Sequence, residues 1–231
     1  MYMASFMNTR KNKSERLTDV RGIIISDRLY NSVMGFTVLY GLVINILMCH
    51  FCARFVSNIN PLFLLLGFFL LSFAGSAIAY RSASPVIKFL GYNMIVFPIG
   101  LLLTQFISWY GGLNSLIVIQ AFNYTLIITA AMIGAGILFP SFFAKIGGIL
   151  FSCLIGIIVA SIFSLIFHFN GIGIAFFGAI VFSLYIGYDF WRSQQYPKTT
   201  GNAISCATDI YLDMINLFMY ILRILGNSKK S

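Results

Sequence analysis

Charge is what this chain has least of. Only 9% of its 231 residues are Asp, Glu, Lys or Arg, against about 25% in an ordinary soluble domain, so a water-exposed globule is excluded. Ligating and nucleophilic residues are sparse as well, with four cysteines and two histidines. The one C-x-x-C, Cys49-His50-Phe51-Cys52, has no second Cys or His pair to complete a metal site, since Cys153, Cys206 and His168 are scattered singly. As a redox pair it is disfavoured too. Cβ atoms three apart on a helix lie about 5–6 Å apart, beyond the roughly 3.5–4.5 Å of a disulfide. No glycine-rich phosphate loop, serine nucleophile elbow or H-E-x-x-H is present, which argues against an enzyme of those classes. Strands of about ten alternating residues, the mark of a membrane β-barrel, are missing, as are internal repeats and room for a separate soluble domain.

What is there is hydrophobic: 59% of residues, 24 of them Phe, with a mean hydropathy of +0.91. Apolar runs near the roughly 20 residues that cross a bilayer cover 31–53, 61–80, 88–108, 115–138, 146–167, 171–189 and 204–225. Turn-formers separate them: Asn58, Asn60 and Pro61, then Ser82 to Pro85, Gly111 with Gly112, Pro140, Asn170 with Gly171, and Pro197 with Gly201. The fold class is therefore an all-α integral membrane protein with seven transmembrane helices. Its parts are a basic N-terminal tail (1–29), a seven-helix domain (30–226) and a short C-terminal tail (227–231). The tail is polar and basic rather than a short apolar core with a cleavage site, which argues against a signal peptide. A six-span form with a re-entrant last segment is the competing topology.

Lys and Arg set the orientation. Arg10, Lys11, Lys13, Arg16, Arg21 and Arg28 in the tail fall on one side with Arg81, Lys88, Lys145, Arg192 and Lys198. Only Arg54, Arg223, Lys229 and Lys230 fall on the other. The N-terminus is thus expected in the cytoplasm. The net charge of +9 is what topology and anionic headgroups demand. No aromatics alternate with the basic residues to stack bases, so the partner is the lipid bilayer and not nucleic acid.

Gly148, Ser152, Gly156, Ala160 and Ser164 recur every fourth residue. Small residues so spaced let a second backbone approach, either inside the bundle, which is the expectation, or in a homodimer. Pro98 is expected to kink the third span, and His168 reads as interfacial rather than catalytic.

Of the six carboxylates, Glu15, Asp19 and Asp27 lie in the tail, leaving Asp189, Asp209 and Asp213 in the spans. A charged Asp at a helix centre costs about 2.5–3.5 kcal/mol on insertion scales, so these side chains should face a polar interior or be protonated. Asp209, Asp213, Asn216 and Tyr220 follow at spacings of four, three and four. They form one polar stripe, as on a helix buried at a bundle axis. With the N-terminus inside, Asp189 ends the sixth span at the depth where Asp209 and Asp213 begin the seventh, and Arg81 ends the second span on the same side. Carboxylates held together cannot all ionise, so the group suits a pH sensor or a site for a hard cation such as Ca²⁺. The plainer reading of Asp189 is that it snorkels to the interface and pairs with Arg192.

The segments "LYIGYDF" and "IYLDMINLFMYILRILG" resemble the C-terminal signature of the transmembrane Bax inhibitor motif (Bax inhibitor-1-like) family, in its bacterial form. "GYNMIVFPIG" is a weaker echo of it. The resemblance implies a seven-helix bundle with the C-terminal helix central and a pH-sensitive Ca²⁺ leak, in a bacterial inner membrane. It implies Asp189 and Asp213 as the pH sensor and Ca²⁺-contacting pair, and Arg81 as a latch on them. Asp209 departs from the pattern as an additional acid, and Asp209 and Asn216 are the auxiliary candidates beside the sensor pair. The second span holds no carboxylate, which removes the ground for a cation site on the outer side.

Two other functions compete. A non-transporting regulator would bind other membrane proteins. An intramembrane aspartyl protease would use Asp189, in a Tyr-Asp pair, with Asp213. Residues 210–213 read Ile-Tyr-Leu-Asp, however, where such an enzyme carries Gly-x-Gly-Asp, and no Pro-Ala-Leu segment follows.

Overall fold

Proline and short polar side chains decide where the helices of this chain begin. The computed structural model describes residues 22–82, 84–168 and 171–228. Most of the expected N-terminal tail, Asn170 and the end of the C-terminal tail lie outside them. Among the described residues seven helices are long and apolar enough to span a bilayer: α1 (Asp27–Phe51), α2 (Pro61–Arg81), α3 (Pro85–Ser108), α4 (Leu116–Leu138), α5 (Pro140–Phe167), α6 (Ile172–Ser193) and α7 (Thr200–Ser228). A single turn, Ala53–Val56, follows α1. No strand occurs among the described residues, and the chain is an all-helical multi-pass membrane protein.

Four helices, α1, α3, α5 and α7, start three to six residues before their apolar runs, because hydropathy records lipid-facing residues while capping records the first turn. Ser26 Oγ accepts the amide of Leu29 at 3.3 Å, and Asn60 Oδ1 accepts that of Leu62 at 2.9 Å with Pro61 behind it. Pro85 and Pro140 open α3 and α5, where a proline loses no intrahelical bond. Lys88, Lys145, Arg192 and Gly201, expected in loops, consequently stand in helix ends. α3 runs unbroken through Pro98. Gly111 and Gly112, at φ 95° and 82°, make the turn before α4 in a region side chains rarely enter. α7 is one continuous 29-residue helix rather than a re-entrant segment, with 61% of its most apolar stretch buried against 11–50% in the other six.

The chain forms two compact units, one of residues up to Gln105 with Ser193–Thr208, the other of Phe106–Arg192 with Asp209 onward. In the first, Tyr40 donates to Asn93 Oδ1 at 2.7 Å, Tyr92 to the Thr37 carbonyl at 2.9 Å, and Thr104 to Cys49 Sγ at 3.6 Å. All four cysteines are free thiols. Fully buried Tyr30 ties the start of α1 to the end of α6 and the first half of α7, donating to the Ser193 carbonyl at 3.0 Å with its hydroxyl also 3.4 Å from Cys206 Sγ. Lys198, in the loop before α7, lies 4.4 Å from the Tyr30 ring centroid and donates to the Gln194 carbonyl at 3.0 Å. Burial pulls its ammonium below the ordinary lysine range, against the opposing charge of Asp27. Tyr30→Phe should cost about 1 kcal/mol, the usual worth of one buried hydrogen bond, because the Ser193 carbonyl keeps only its longer contacts with the Tyr196 amide and Lys198 Nζ, both at 3.4 Å. Thermal unfolding in detergent would show this, and an unshifted midpoint would refute it.

The second unit is held by close backbone approach. A Cβ at Gly136 of α4 would lie 2.8 Å from the Gly187 carbonyl of α6, and one at Gly147 of α5 would lie 2.5 Å from the Tyr188 hydroxyl. Leu150 and Ile157 of α5 pack on Val181 of α6 beside Tyr185 and Tyr188. The every-fourth-residue stripe does not make these contacts. Gly148, Ser152 and Gly156 are exposed, and a Cβ at either glycine meets open space. The expectation of packing inside the bundle is thus corrected for these three, while Ala160 and Ser164 at the end of the stripe are half-buried. A helix apolar on all sides carries no amphipathic cue to its inner face, and here Phe143, Leu150 and Ile157 take it. Gly136→Val should destabilise by about 1–3 kcal/mol through overpacking, whereas Gly148→Val should leave the melting temperature unchanged. Equal effects would contradict this assignment.

Candidate functional site

Three carboxylates converge in the second unit. Asp189 stands four residues before the end of α6, which its own motif Tyr185-Ile186-Gly187-Tyr188-Asp189 keeps tight against α4 and α5 through Gly187. Asp209 and Asp213 stand about one turn apart on α7. Asp189 and Asp213 are both buried, 8% and 7% exposed, and their carboxyls lie within hydrogen-bonding reach of each other. Two carboxyls can bond in that way only through a shared proton. Asp213 Oδ2 is buried with no hydrogen-bond partner. Tyr185, one turn before Asp189, lies close enough to feel the charge of both.

The arginine on these acids is Arg192. Its Nη1 lies 3.2 Å from Asp189 Oδ1 on its own helix and its Nη2 2.7 Å from Asp209 Oδ2 on α7. One guanidinium therefore spans two carboxylates on successive helices, a planar fork that suits arginine better than lysine. Tyr188 supports it from the side, with the guanidinium carbon 5.8 Å from its ring centroid. The simple reading of Asp189 is half right. The pair with Arg192 forms, but the carboxylate is buried rather than snorkelling to the interface. The Asp209 side chain is 40% exposed and that of Arg192 30%, so their bond is partly screened.

Arg81, at the end of α2, is exposed, and no ion pair among the described residues includes it. Asn216 donates its amide to the Leu212 carbonyl at 2.8 Å and turns to a different cavity beside Tyr220. The polar stripe on α7 is thus divided, Asp209 meeting Arg192 and Asp213 meeting Asp189, while Asn216 and Tyr220 line the other cavity. Arg192 as a bridge escaped the sequence because only its spacing to Asp189 was visible. The signal for its second bond would have been Asp209, unexplained by any other cation.

As a resident calcium site this cluster does not fit. Ca²⁺ takes about six to eight oxygens, and two of the three carboxylates already face a guanidinium. Among the described residues no group of three or more His, Cys, Asp or Glu is arranged around a metal position. What the arrangement can do is hold a proton between Asp189 and Asp213, and hold α6 to α7 through Arg192.

Residues 25–230 match the family described as "Inhibitor of apoptosis-promoting Bax1". Over 120 residues the chain is 32% identical to the inner membrane protein YbhL of Escherichia coli, covering 46% of this chain and 51% of that protein. Over 110 residues it is 34% identical to an uncharacterized protein of Helicobacter pylori, covering 46% of each. Over 95 residues it is 32% identical to an uncharacterized protein of Borreliella burgdorferi, covering 37% of this chain and 41% of that protein. The chain spans about half the length of the relatives it matches.

Proposed function

The chain belongs to the Bax inhibitor-1-like family, and on that premise we propose that it is a pH-sensitive calcium leak of a bacterial inner membrane, with its N-terminus in the cytoplasm. The observation that carries the reading is the buried Asp189–Asp213 contact beside the Arg192 bridge. With one proton between the two carboxyls, α6 and α7 are held together. Loss of that proton leaves two facing carboxylates in a low-dielectric surround, where like charges repel strongly, and the helices part. Calcium is the cargo and not a resident ligand. The carboxylates released by the parting would offer a passing Ca²⁺ the oxygen ligands it favours.

In this reading the latch is Arg192 rather than Arg81, because Arg192 already holds carboxylates on both helices. Asp209 is then part of the gate, as the second anchor of the latch. Calcium flux into proteoliposomes at equal pH on both sides, from pH 6 to pH 8, tests the proposal. A protein that passes no calcium at any pH overturns it. The family's description as an inhibitor of apoptosis-promoting Bax1 favours one second reading, a regulator that acts by binding other membrane proteins. Silent proteoliposomes together with a co-purifying membrane protein would support that alternative.

A further inference from the structure

A second polar site lies in the same unit, at the end remote from the aspartates. Between the end of α5, the start of α6 and the second half of α7 is a cavity of about 470 Å³. Its polar lining is Ser161, Ser164, His168, Asn216, Tyr220 and Arg223. Arg223 lies ten residues beyond Asp213, about 15 Å along the helix axis. His168 is held at φ 55°, ψ 33° as the residue that caps α5 after Phe167, the only described non-glycine residue with positive φ. That conformation ends the helix and sets the imidazole at the cavity wall. Gly171 follows, and a Cβ there would lie 3.4 Å from Ser164 Oγ and 3.9 Å from Arg223 Nη1.

The lining has one chemical bias. It offers a guanidinium, an imidazole, a carboxamide and three hydroxyls, and it contains no carboxylate. Arg223 takes part in no ion pair among the described residues. Arg223 is exposed at the mouth, and a cation beside several neutral hydrogen-bonding groups, with no acid to neutralise it, suits an oxyanion. The remaining walls, Leu165 and Met219 among them, are apolar, and helix ends of this kind stand where headgroups meet the hydrocarbon. A volume of this size lies within the range of small-ligand sites.

We propose that this cavity binds a phosphate-type oxyanion, supplied by the headgroup of an anionic phospholipid whose first acyl carbons rest on the apolar wall, with Arg223 as the charged contact. Phosphate free in solution shares that chemistry and is the other source. The site stands independently of the calcium reading, because its test measures binding and not flux.

The full chain is purified in a neutral detergent and its melting temperature followed against dioctanoyl phosphatidylglycerol, dioctanoyl phosphatidylcholine and inorganic phosphate. Phosphatidylglycerol should raise the midpoint while phosphatidylcholine does not. Arg223→Gln should raise the half-effective lipid concentration by roughly tenfold or more, the loss of one charge-assisted hydrogen-bond set. His168→Asn, a residue that tolerates the left-handed conformation, should weaken binding less. Arg54→Gln, at an arginine that is also exposed but does not line the cavity, should behave as wild type. Stabilisation by inorganic phosphate equal to that by phosphatidylglycerol keeps the oxyanion site but assigns it to the free ion. The proposal fails if Arg223→Gln responds to phosphatidylglycerol as wild type does, or if phosphatidylcholine stabilises equally well.

Discussion

If the chain is the calcium leak proposed above, Asp213→Asn is expected to leave less than about a twofold change in flux between pH 6 and pH 8, where wild type should change roughly tenfold. A gate coupled to one proton shifts by at most about tenfold per pH unit, so a clear response over this window requires a carboxyl that titrates inside it. Asparagine has nearly the shape of a protonated aspartic acid and can still donate to Asp189, which sits within hydrogen-bonding reach. The substitution therefore imitates the shared-proton state permanently. Flux should be low and level rather than high and level. The opposite result, a high constant leak, would mean that the carboxyl contact opens the path. Undiminished pH dependence would place the sensor elsewhere.

The second large effect is expected from Arg192→Gln, which removes both ion pairs between one guanidinium and the carboxylates of α6 and α7. Asp189 is buried, and leaving a buried charge without its cation costs far more than losing a surface pair. Leak at low pH should rise by roughly tenfold or more, as a shift of about 1.4 kcal/mol in the closed–open equilibrium requires. Arg192→Lys should fall between wild type and Arg192→Gln, because a single ammonium keeps the charge without the two-pronged reach. Arg81→Gln removes an exposed charge and should stay within about twofold of wild type, as surface charges usually contribute about 0–1 kcal/mol. A large effect of Arg81→Gln with none from Arg192→Gln would return the latch to α2.

These two substitutions mark where sequence reasoning stopped. Asp189 and Asp213 were visible because an acid in a span of otherwise apolar residues must have a reason. Their burial and mutual contact in the structure agree with that reasoning without testing their role. Arg192 was visible only as a neighbour three residues away, since its bond to Asp209 depends on how α6 and α7 lie against one another. The stripe on α5 shows the limit more sharply. Five small residues at a spacing of four made a face, but nothing in a uniformly apolar helix says whether that face meets protein or lipid. Likewise, Asn216 and Tyr220 shared a stripe with the aspartates, yet Asn216 and Tyr220 line the Arg223 cavity instead.

By itself the sequence determined the seven spans, the turns between them and the acids that cannot be there by accident. Each of these follows from transfer energy, chain length and local backbone preference, which are properties of short segments. Only the tertiary structure decided which arginine the acids meet, which glycines bring helices together and that a second, cationic cavity exists. Those outcomes depend on the rotation of each helix about its own axis. In a membrane, where apolar side chains suit both interior and lipid, composition scarcely constrains that rotation.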